Sequence, residues 1–215
     1  LNVTVPHKEA VIHLVDIVTD RATLIGAVNT LIFSLDGKIH ADNTDGFGFI
    51  ENLRSGVPNW DPTAGPALVW GAGGAARAVI AALLEYKVPE IYLTNRTRDR
   101  AENLKDVFGP QVTIIDWIDA ANAIEDVVLV VNATSLGMLG KPELRVPLDG
   151  LRPNVVVNDL VYVPLKTTLL ETAEYIGCRT VDGLGMLIHQ AAPGFRHWFG
   201  ADPTIDDQTR AILIK

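Results

Sequence analysis

The stretch Ala67–Ala78, ALVWGAGGAARA, decides how this chain folds. A short apolar run from Ala67 to Trp70 ends abruptly in Gly71-Ala72-Gly73-Gly74-Ala75-Ala76. Arg77 to Leu84 then reads as a helix built on small and aliphatic residues. A buried strand, a glycine turn and a helix start are what a pyrophosphate needs. Gly71 permits the tight turn, Gly73 lets the backbone approach the phosphates, and Ala76 lets the helix pack close to the strand. The helix N-terminus presents free N–H groups and a partial positive charge to the anion. A glycine turn alone can be just a turn. Here the strand before it and the helix after it supply the context a nucleotide site requires.

Downstream the alternation continues. Glu90–Thr94 is a second strand, and Asn95 to Arg100 opens a helix that runs through Val107. Strand and helix candidates follow at Val112–Ile115 and Ile118–Ile124. Val127–Val131 is a continuous apolar run, the pattern of a parallel strand buried on both faces. Asn154–Asn158, Leu165–Ile176 and Arg179–Val181 extend the series, and Gly183–Phe199 and Ile205–Ile214 are two further helices. Strands alternating with helices imply an α/β fold with a Rossmann-type, doubly wound parallel sheet.

Upstream, Leu1–Val5 alternates apolar and polar residues with the period of a half-buried strand. Pro6 suits a helix first turn, and Val11, Ile12, Leu14, Val15 and Val18 supply that helix with an apolar face. Lys8 then lies in the first turn, on the wrong end of the dipole for a cation, a setting that moves a lysine toward general-base use. The plainer reading is a solvated surface lysine. Ala27–Phe33 reads as a strand, Asp36-Gly37 as a hairpin turn and Lys38–Ala41 as the returning strand. Phe47, Phe49, Ile50 and Leu53 continue at helical spacing, with Asn43 as a candidate N-cap and Asp45 as a first-turn acid. Ser55–Pro66 is the loop leading into the nucleotide strand.

Composition narrows the classes. Of 215 residues 48% are hydrophobic, enough for a real core, yet no window approaches the roughly 18 unbroken apolar residues of a membrane span. With no signal-peptide pattern, a soluble cytoplasmic protein is expected. Cys178 is the single cysteine, so a disulfide framework and a cysteine metal cluster are excluded, and no metal site is expected. A net charge of −8 without a basic stripe argues against a nucleic-acid partner.

In NAD-type folds an acidic residue about 20 positions past the glycines holds the ribose 2′-OH, whereas arginine accommodates a 2′-phosphate. The second strand here ends in Asn95-Arg96-Thr97, with Arg98 and Arg100 close by and no carboxylate at the decisive position. Three guanidiniums suit a phosphate monoester, so NADP is the expected cofactor. Ordinary arginines on a solvated helix start are the bland alternative.

Taken together, the motifs resemble the shikimate/quinate dehydrogenase family along essentially the whole chain. They are Asn2-Val3-Thr4-Val5-Pro6-His7-Lys8, Gly26-Ala27-Val28-Asn29-Thr30, Asn43-Thr44-Asp45-Gly46, the glycine turn through Ala78, and Asn95-Arg96-Thr97. They continue with Asn132-Ala133-Thr134-Ser135-Leu136-Gly137-Met138, Asp159-Leu160-Val161-Tyr162, and Gly183-Leu184-Gly185-Met186-Leu187 with Gln190. The resemblance implies reversible NADPH-dependent reduction of 3-dehydroshikimate to shikimate. It implies Lys8 as the catalytic lysine with Asp45 as its partner. Asn2, Thr4, Asn29, Tyr162 and Gln190 become substrate contacts. Gly71, Ala72, Gly73, Gly74, Ala75, Asn95, Arg96, Thr97, Arg100, Ser135 and Gly183 line the cofactor. Oxidising a secondary alcohol needs a group to take the O–H proton, and an ammonium polarises the ketone in the reverse direction.

The family's pattern also has a strand–helix portion with a Ser-x-Ser motif ahead of Asn2–Pro6. The sequence begins at Leu1, and Ser34, Ser55 and Ser135 are isolated. The expectation is therefore a smaller, N-terminally incomplete α/β substrate domain, in a chain that holds NADP but turns over shikimate poorly or not at all. Residues 1–46 with 189–215 form that discontinuous domain and residues 47–188 the NADP-binding Rossmann domain. The expected partners are the small-molecule substrate and cofactor, with neither nucleic acid nor membrane, in a monomer or homodimer. Two alternatives stand beside this reading: an NAD-using quinate/shikimate dehydrogenase, and a non-catalytic NADP-binding relative.

Overall fold

The computed structural model of the chain describes residues 1–4 and 6–214. A 3-10 turn at Ala10–Leu14 leads into β1 (Ile17–Val18), α1 (Asp20–Ile25), β2 (Thr30–Phe33) and β3 (Ile39–Asp42). These strands form a three-stranded sheet in the order β1-β3-β2. β2 and β3 are the expected antiparallel hairpin, and β1 lies parallel to β3. Next, α2 (Asp45–Gly56) carries the chain out of the small sheet toward β4 (Ala67–Trp70). Then come α3 (Gly74–Glu85), β5 (Ile91–Thr94), α4 (Arg98–Phe108), β6 (Val112–Ile114), α5 (Ala120–Ala123) and β7 (Leu129–Asn132). β8 (Val156–Asp159), α6 (Thr168–Ile176), β9 (Arg179–Val181), α7 (Leu184–Phe199) and α8 (Asp207–Leu213) complete the order.

The larger sheet has six strands, ordered β6-β5-β4-β7-β8-β9, and every pairing in it is parallel. That is the doubly wound arrangement the alternation implied. One face packs Val69, Ile91, Leu93 and Val131 against Phe49, Leu53, Val79, Ile80 and Leu83. The other packs Leu68, Trp70, Val130 and Val157 against Ile124, Leu169 and Leu170. All four residues of β4 are buried, which is why Ala67–Trp70 reads as an unbroken apolar run. The strand order reverses between β4 and β7. In sheets of this kind ligands bind outside the carboxyl ends of the strands at that reversal.

The first twenty residues depart from expectation. The helix after Pro6 is only the 3-10 turn Ala10–Leu14, and Val18 belongs to β1, opposite Ala41. β-Branched Val11, Ile12, Val15, Ile17 and Val18 lose χ1 freedom in a helix, and Ile17 and Val18 gain strand pairing instead. Lys8 precedes the turn, so the helix-dipole argument for it fails. The leading strand reduces to an isolated antiparallel bridge between Asn2 and Thr30, flanked by backbone hydrogen bonds of Leu1 with Leu31 and of Val3 with Asn29. Its last expected residue, Val5, and the final residue of the C-terminal segment, Lys215, lie outside the described residues. The strand expected from Ala27 starts at Thr30, and Ile118–Ile124 is a 3-10 turn followed by one helical turn. Helix α1 was not among the expected elements. Its signals are present: the Thr19 hydroxyl accepts from Ala22 N–H, and Gly26 closes the helix at φ +71°.

Candidate functional site

The nucleotide side of the site is built from backbone. Gly71 sits at the end of β4 with φ +109°, and a Cβ there would lie 2.9 Å from the Ala133 carbonyl oxygen. Gly73 and Gly74 differ, since a Cβ at either meets nothing within 4 Å. The turn is therefore packed on one side and open on the other, and Ala76 behind it is fully buried. No side chain caps α3 at Gly73, so its first N–H groups are free for an anion. A depression of about 280 Å³ adjoins the turn, lined by Ala72, Gly73, Arg77, Arg100, Asn103 and Glu9. Asn95 braces the turn after β5 by donating to the Thr97 carbonyl (2.8 Å), and Arg96 and Thr97 are exposed beside it. Among the described residues neither Arg96 nor Arg100 is in an ion pair. Arg98 does not belong to this group. It pairs with Glu102 (2.9 Å) and with Asp116, which leaves two of the three expected guanidiniums. The open cradle, the free N–H groups and the unpaired arginines fit a dinucleotide with an extra phosphate.

The opposite side is built from side chains. Lys8 Nζ donates to Asp45 Oδ2 at 2.6 Å, the lysine 22% and the aspartate 6% exposed. Val28 N–H holds the Lys8 carbonyl at 2.9 Å, which fixes the lysine without a helix. Asp45 is the first residue of α2, where a carboxylate complements the dipole. Asn43 is not the N-cap. Its side chain accepts from Asp45 N–H and donates to the Ala27 carbonyl, each at 3.0 Å. Asn29 lies 1% exposed beneath the pair, and its Nδ2 donates to Asp45 Oδ1 (2.8 Å) and to Gln190 Oε1 (2.8 Å). Thr44 N–H donates to Asn29 Oδ1 (3.0 Å), and the Thr44 hydroxyl donates to the Gln190 carbonyl (2.7 Å). At Gly48 a Cβ would lie 2.7 Å from both Gln190 N and Met186 O, so only glycine lets α2 and α7 cross closely enough for that bond.

The two sides meet across a cleft of about 420 Å³. Asn2, Thr4, Lys8, Asp45, Tyr162 and Gln190 line it from the small-sheet side and the later loops, with Ala75 and Gly183 from the nucleotide side. Asn29, expected as a substrate contact, is not among the side chains that line the cleft; it lies buried behind Asp45 and Gln190 and bonds both. Ser135 is exposed on the loop after β7, and Gly183 is buried at the start of α7. Arg77, Thr44 and Asp159 belong to the site's framework and were missed as individuals. The one available signal for Arg77 was a cation in a helix first turn, where the dipole disfavours it.

A glycine-turn Rossmann sheet facing a half-buried lysine paired with a buried aspartate defines a nucleotide-dependent oxidoreductase. Family profiles match in three places: the shikimate dehydrogenase substrate binding domain over residues 1–31, shikimate/quinate 5-dehydrogenase over 61–140, and the shikimate 5′-dehydrogenase C-terminal domain over 183–210. The chain belongs to the shikimate dehydrogenase family. It is 67% identical over 213 residues to the shikimate dehydrogenase (NADP(+)) of Cereibacter sphaeroides, covering 99% of this chain and 76% of that protein. The enzyme of the same name from Paracoccus denitrificans is 61% identical, again covering 99% of this chain and 76% of the relative. Among solved structures, shikimate 5-dehydrogenase from Thermus thermophilus in complex with NADP(H) and shikimate gives a TM-score of 0.83 at 39% identity, covering 94% of this chain and 74% of that one. Quinate dehydrogenase from Corynebacterium glutamicum in complex with NAD gives 0.91 at 35% identity, covering 99% and 77%. Among the described residues no helix is long and apolar enough to cross a membrane.

Proposed function

We propose that this chain interconverts 3-dehydroshikimate and shikimate with NADP(H), using Lys8 and Asp45 at the reacting oxygen. The observation that carries the reading is the 2.6 Å Lys8–Asp45 pair inside the cleft that Ala75 of the nucleotide helix also lines. The nicotinamide, when bound, supplies or accepts hydride. Lys8 Nζ–H donates to the ketone oxygen and passes it a proton as the alcohol forms; in the oxidative direction the proton returns to Nζ. Asp45, held by the Asn29 amide, keeps the ammonium aimed and balances its charge. Asn2, Thr4, Asn29, Tyr162 and Gln190 contact and orient the substrate, all but Asn29 from the cleft walls. Gly71, Ala72, Gly73, Gly74 and Ala75 receive the pyrophosphate. Asn95, Arg96, Thr97 and Arg100 would receive the adenosine end with its 2′-phosphate, and Ser135 and Gly183 would also line the cofactor. This reading divides the chain into a substrate domain, 1–46 with 189–215, and a nucleotide domain, 47–188. The segregation of the three-stranded and six-stranded sheets supports it.

A second reading, an NAD-linked enzyme acting on quinate, draws support from the NAD-bound quinate dehydrogenase of similar fold. Arg96 standing where NAD folds place a carboxylate weighs for NADP. The test is NADPH formation from shikimate and NADP(+), with NAD and quinate in parallel arms. Preference for NAD would replace the first reading with the second. Cofactor binding with no turnover of either substrate would leave a nucleotide-binding protein only.

A further inference from the structure

Asp159 is the last residue of β8 and is fully buried. Three donors converge on its carboxylate, and each comes from a different piece of chain. Oδ1 accepts from Asn132 Nδ2 (2.9 Å), at the end of β7, and from Val161 N–H (3.0 Å), in the loop after β8. Oδ2 accepts from the Thr167 hydroxyl (2.7 Å), which itself accepts from Leu170 N–H at the start of α6. All three donors are neutral, and among the described residues Asp159 takes part in no ion pair. A buried carboxylate served only by neutral donors at a strand end calls for a reason beyond packing.

The partners of Asn132 indicate that reason. Its Nδ2 also donates to the Leu136 carbonyl (3.1 Å), and its Oδ1 accepts from Thr134 N–H (3.0 Å) and Thr134 Oγ1 (2.7 Å). Leu136 N–H in turn donates to Thr134 Oγ1 (3.0 Å). The loop carrying Ser135 thus hangs on Asn132, and Asn132 hangs on Asp159. On the other side, Val161 is flanked by Leu160 and Tyr162, both of which line the cleft. One carboxylate therefore joins a loop of the nucleotide side to a loop of the substrate side, at the carboxyl ends of β7 and β8.

We propose that Asp159 is a positioning residue for the reaction, the joint that holds the Thr134–Leu136 loop and the Leu160–Tyr162 loop in one register. Asp159 touches neither ligand. It acts by fixing the distance between the groups that do, and small misplacements of reacting groups are costly to turnover. This inference rests on the functional reading above.

The test reads the full chain two ways. Thr167→Val removes the outermost donor, Thr167→Ser keeps it, and Asp159→Asn puts an amide in place of the carboxylate. Thr167→Val and Asp159→Asn should speed amide exchange about tenfold at Val161 and also at Thr134 and Leu136, across the joint. The same two variants should lower kcat for shikimate oxidation about tenfold with KM for NADP(+) held within about twofold, while Thr167→Ser behaves as wild type. Faster exchange confined to Val161 and α6 overturns the proposal, because the joint then does not span the loops. Exchange altered on both sides with kcat unchanged also overturns it, as the network would be structural only. A wild-type chain that does not oxidise shikimate with NADP(+) overturns the functional reading and this proposal together. An active wild type with unaffected variants overturns the proposal alone.

Discussion

The two walls of the cleft are made of different materials. The nucleotide wall is main chain: a glycine turn, the free N–H groups of α3, and an open face where Gly73 and Gly74 lack side chains. The substrate wall is side chain, a run of hydrogen bonds from Lys8 through Asp45 and Asn29 to Gln190. A main-chain wall recognises what all dinucleotides share, and it is damaged mainly by added bulk. A side-chain wall recognises one substrate, and it is damaged by removing a single atom. The contrast makes the walls separable by experiment.

The largest effect falls on the side-chain wall. Lys8→Ala and Asp45→Asn should lower turnover by roughly 10²–10⁴-fold, the span of a general acid–base group. Affinity for NADP(+) should hardly change in either variant, as measured by calorimetry. Near-full turnover in Lys8→Ala would reduce that lysine to a surface cation and erase the contrast.

On the main-chain wall, two glycines two residues apart should fail differently. Gly71→Ala forces a side chain to φ +109° and brings its Cβ to 2.9 Å from Ala133 O, so the fold should lose about 2 kcal/mol or more in urea denaturation. Gly73→Ala meets open space at φ −94° and should keep wild-type stability, yet weaken NADP(+) about tenfold or more, because its methyl occupies the ligand's side. Equal stability losses in both would mean that the open face is not a ligand face.

The arginines refine the comparison at the rim. Arg96→Ala and Arg100→Ala should each weaken NADP(+) about tenfold or more and leave NAD nearly unchanged, as expected when a charge-assisted bond to the extra phosphate is lost. Arg98→Ala should alter neither affinity, since Asp116 and Glu102 already engage that guanidinium. A drop in NADP(+) affinity for Arg98→Ala equal to that of Arg96→Ala would restore the three-arginine picture.

Legibility in the sequence followed the same division. The six-stranded sheet was readable because its central strands β4, β7 and β8 are buried on both faces and its turn needs glycines, two signals that survive without knowledge of neighbours. The small sheet was not. Val11, Val15 and Val18 share a helical spacing, yet Val11 stays in a 3-10 turn while Val18 joins a strand, and only pairing with β3, more than twenty residues away, decides the latter. Lys8 was found by resemblance while its supposed helix was wrong, so the local argument for its chemistry had no basis in the fold. Arg98 illustrates the limit at the site. Its Glu102 partner stands four residues on, a spacing that sets it apart from Arg96 and Arg100, but its Asp116 partner is 18 residues distant and not legible in the spacing.

Two buried aspartates extend the comparison to pH, with opposite signs. Asp42 ends β3 in the small sheet, and Asp159 ends β8 in the large one. Burial alone would raise Asp42, but Arg21, the Thr19 hydroxyl and Asn43 N–H bond its oxygens and hold it below the ordinary value of 3.8. Asp159 is raised above 3.8, because burial outweighs the bonds from Thr167, Val161 and Asn132, none of which brings a charge. An acid lowered in the folded state binds fewer protons there than when unfolded. Its stabilisation is therefore complete above the unfolded pKa and disappears as pH falls through the folded one. An acid raised in the folded state does the reverse: stability is greatest below the unfolded pKa and declines as pH rises from there through the folded pKa. Urea denaturation of wild type, Asp42→Asn and Asp159→Asn, from about pH 3 to about pH 7, reads both. The stability advantage of wild type over Asp42→Asn should grow as pH rises toward 3.8 and then level off. The difference between wild type and Asp159→Asn should move the other way, shifting against wild type as pH rises above 3.8. Slopes of the same sign would mean that an unrecognised cation serves Asp159, and that the two strand ends are held by the same means.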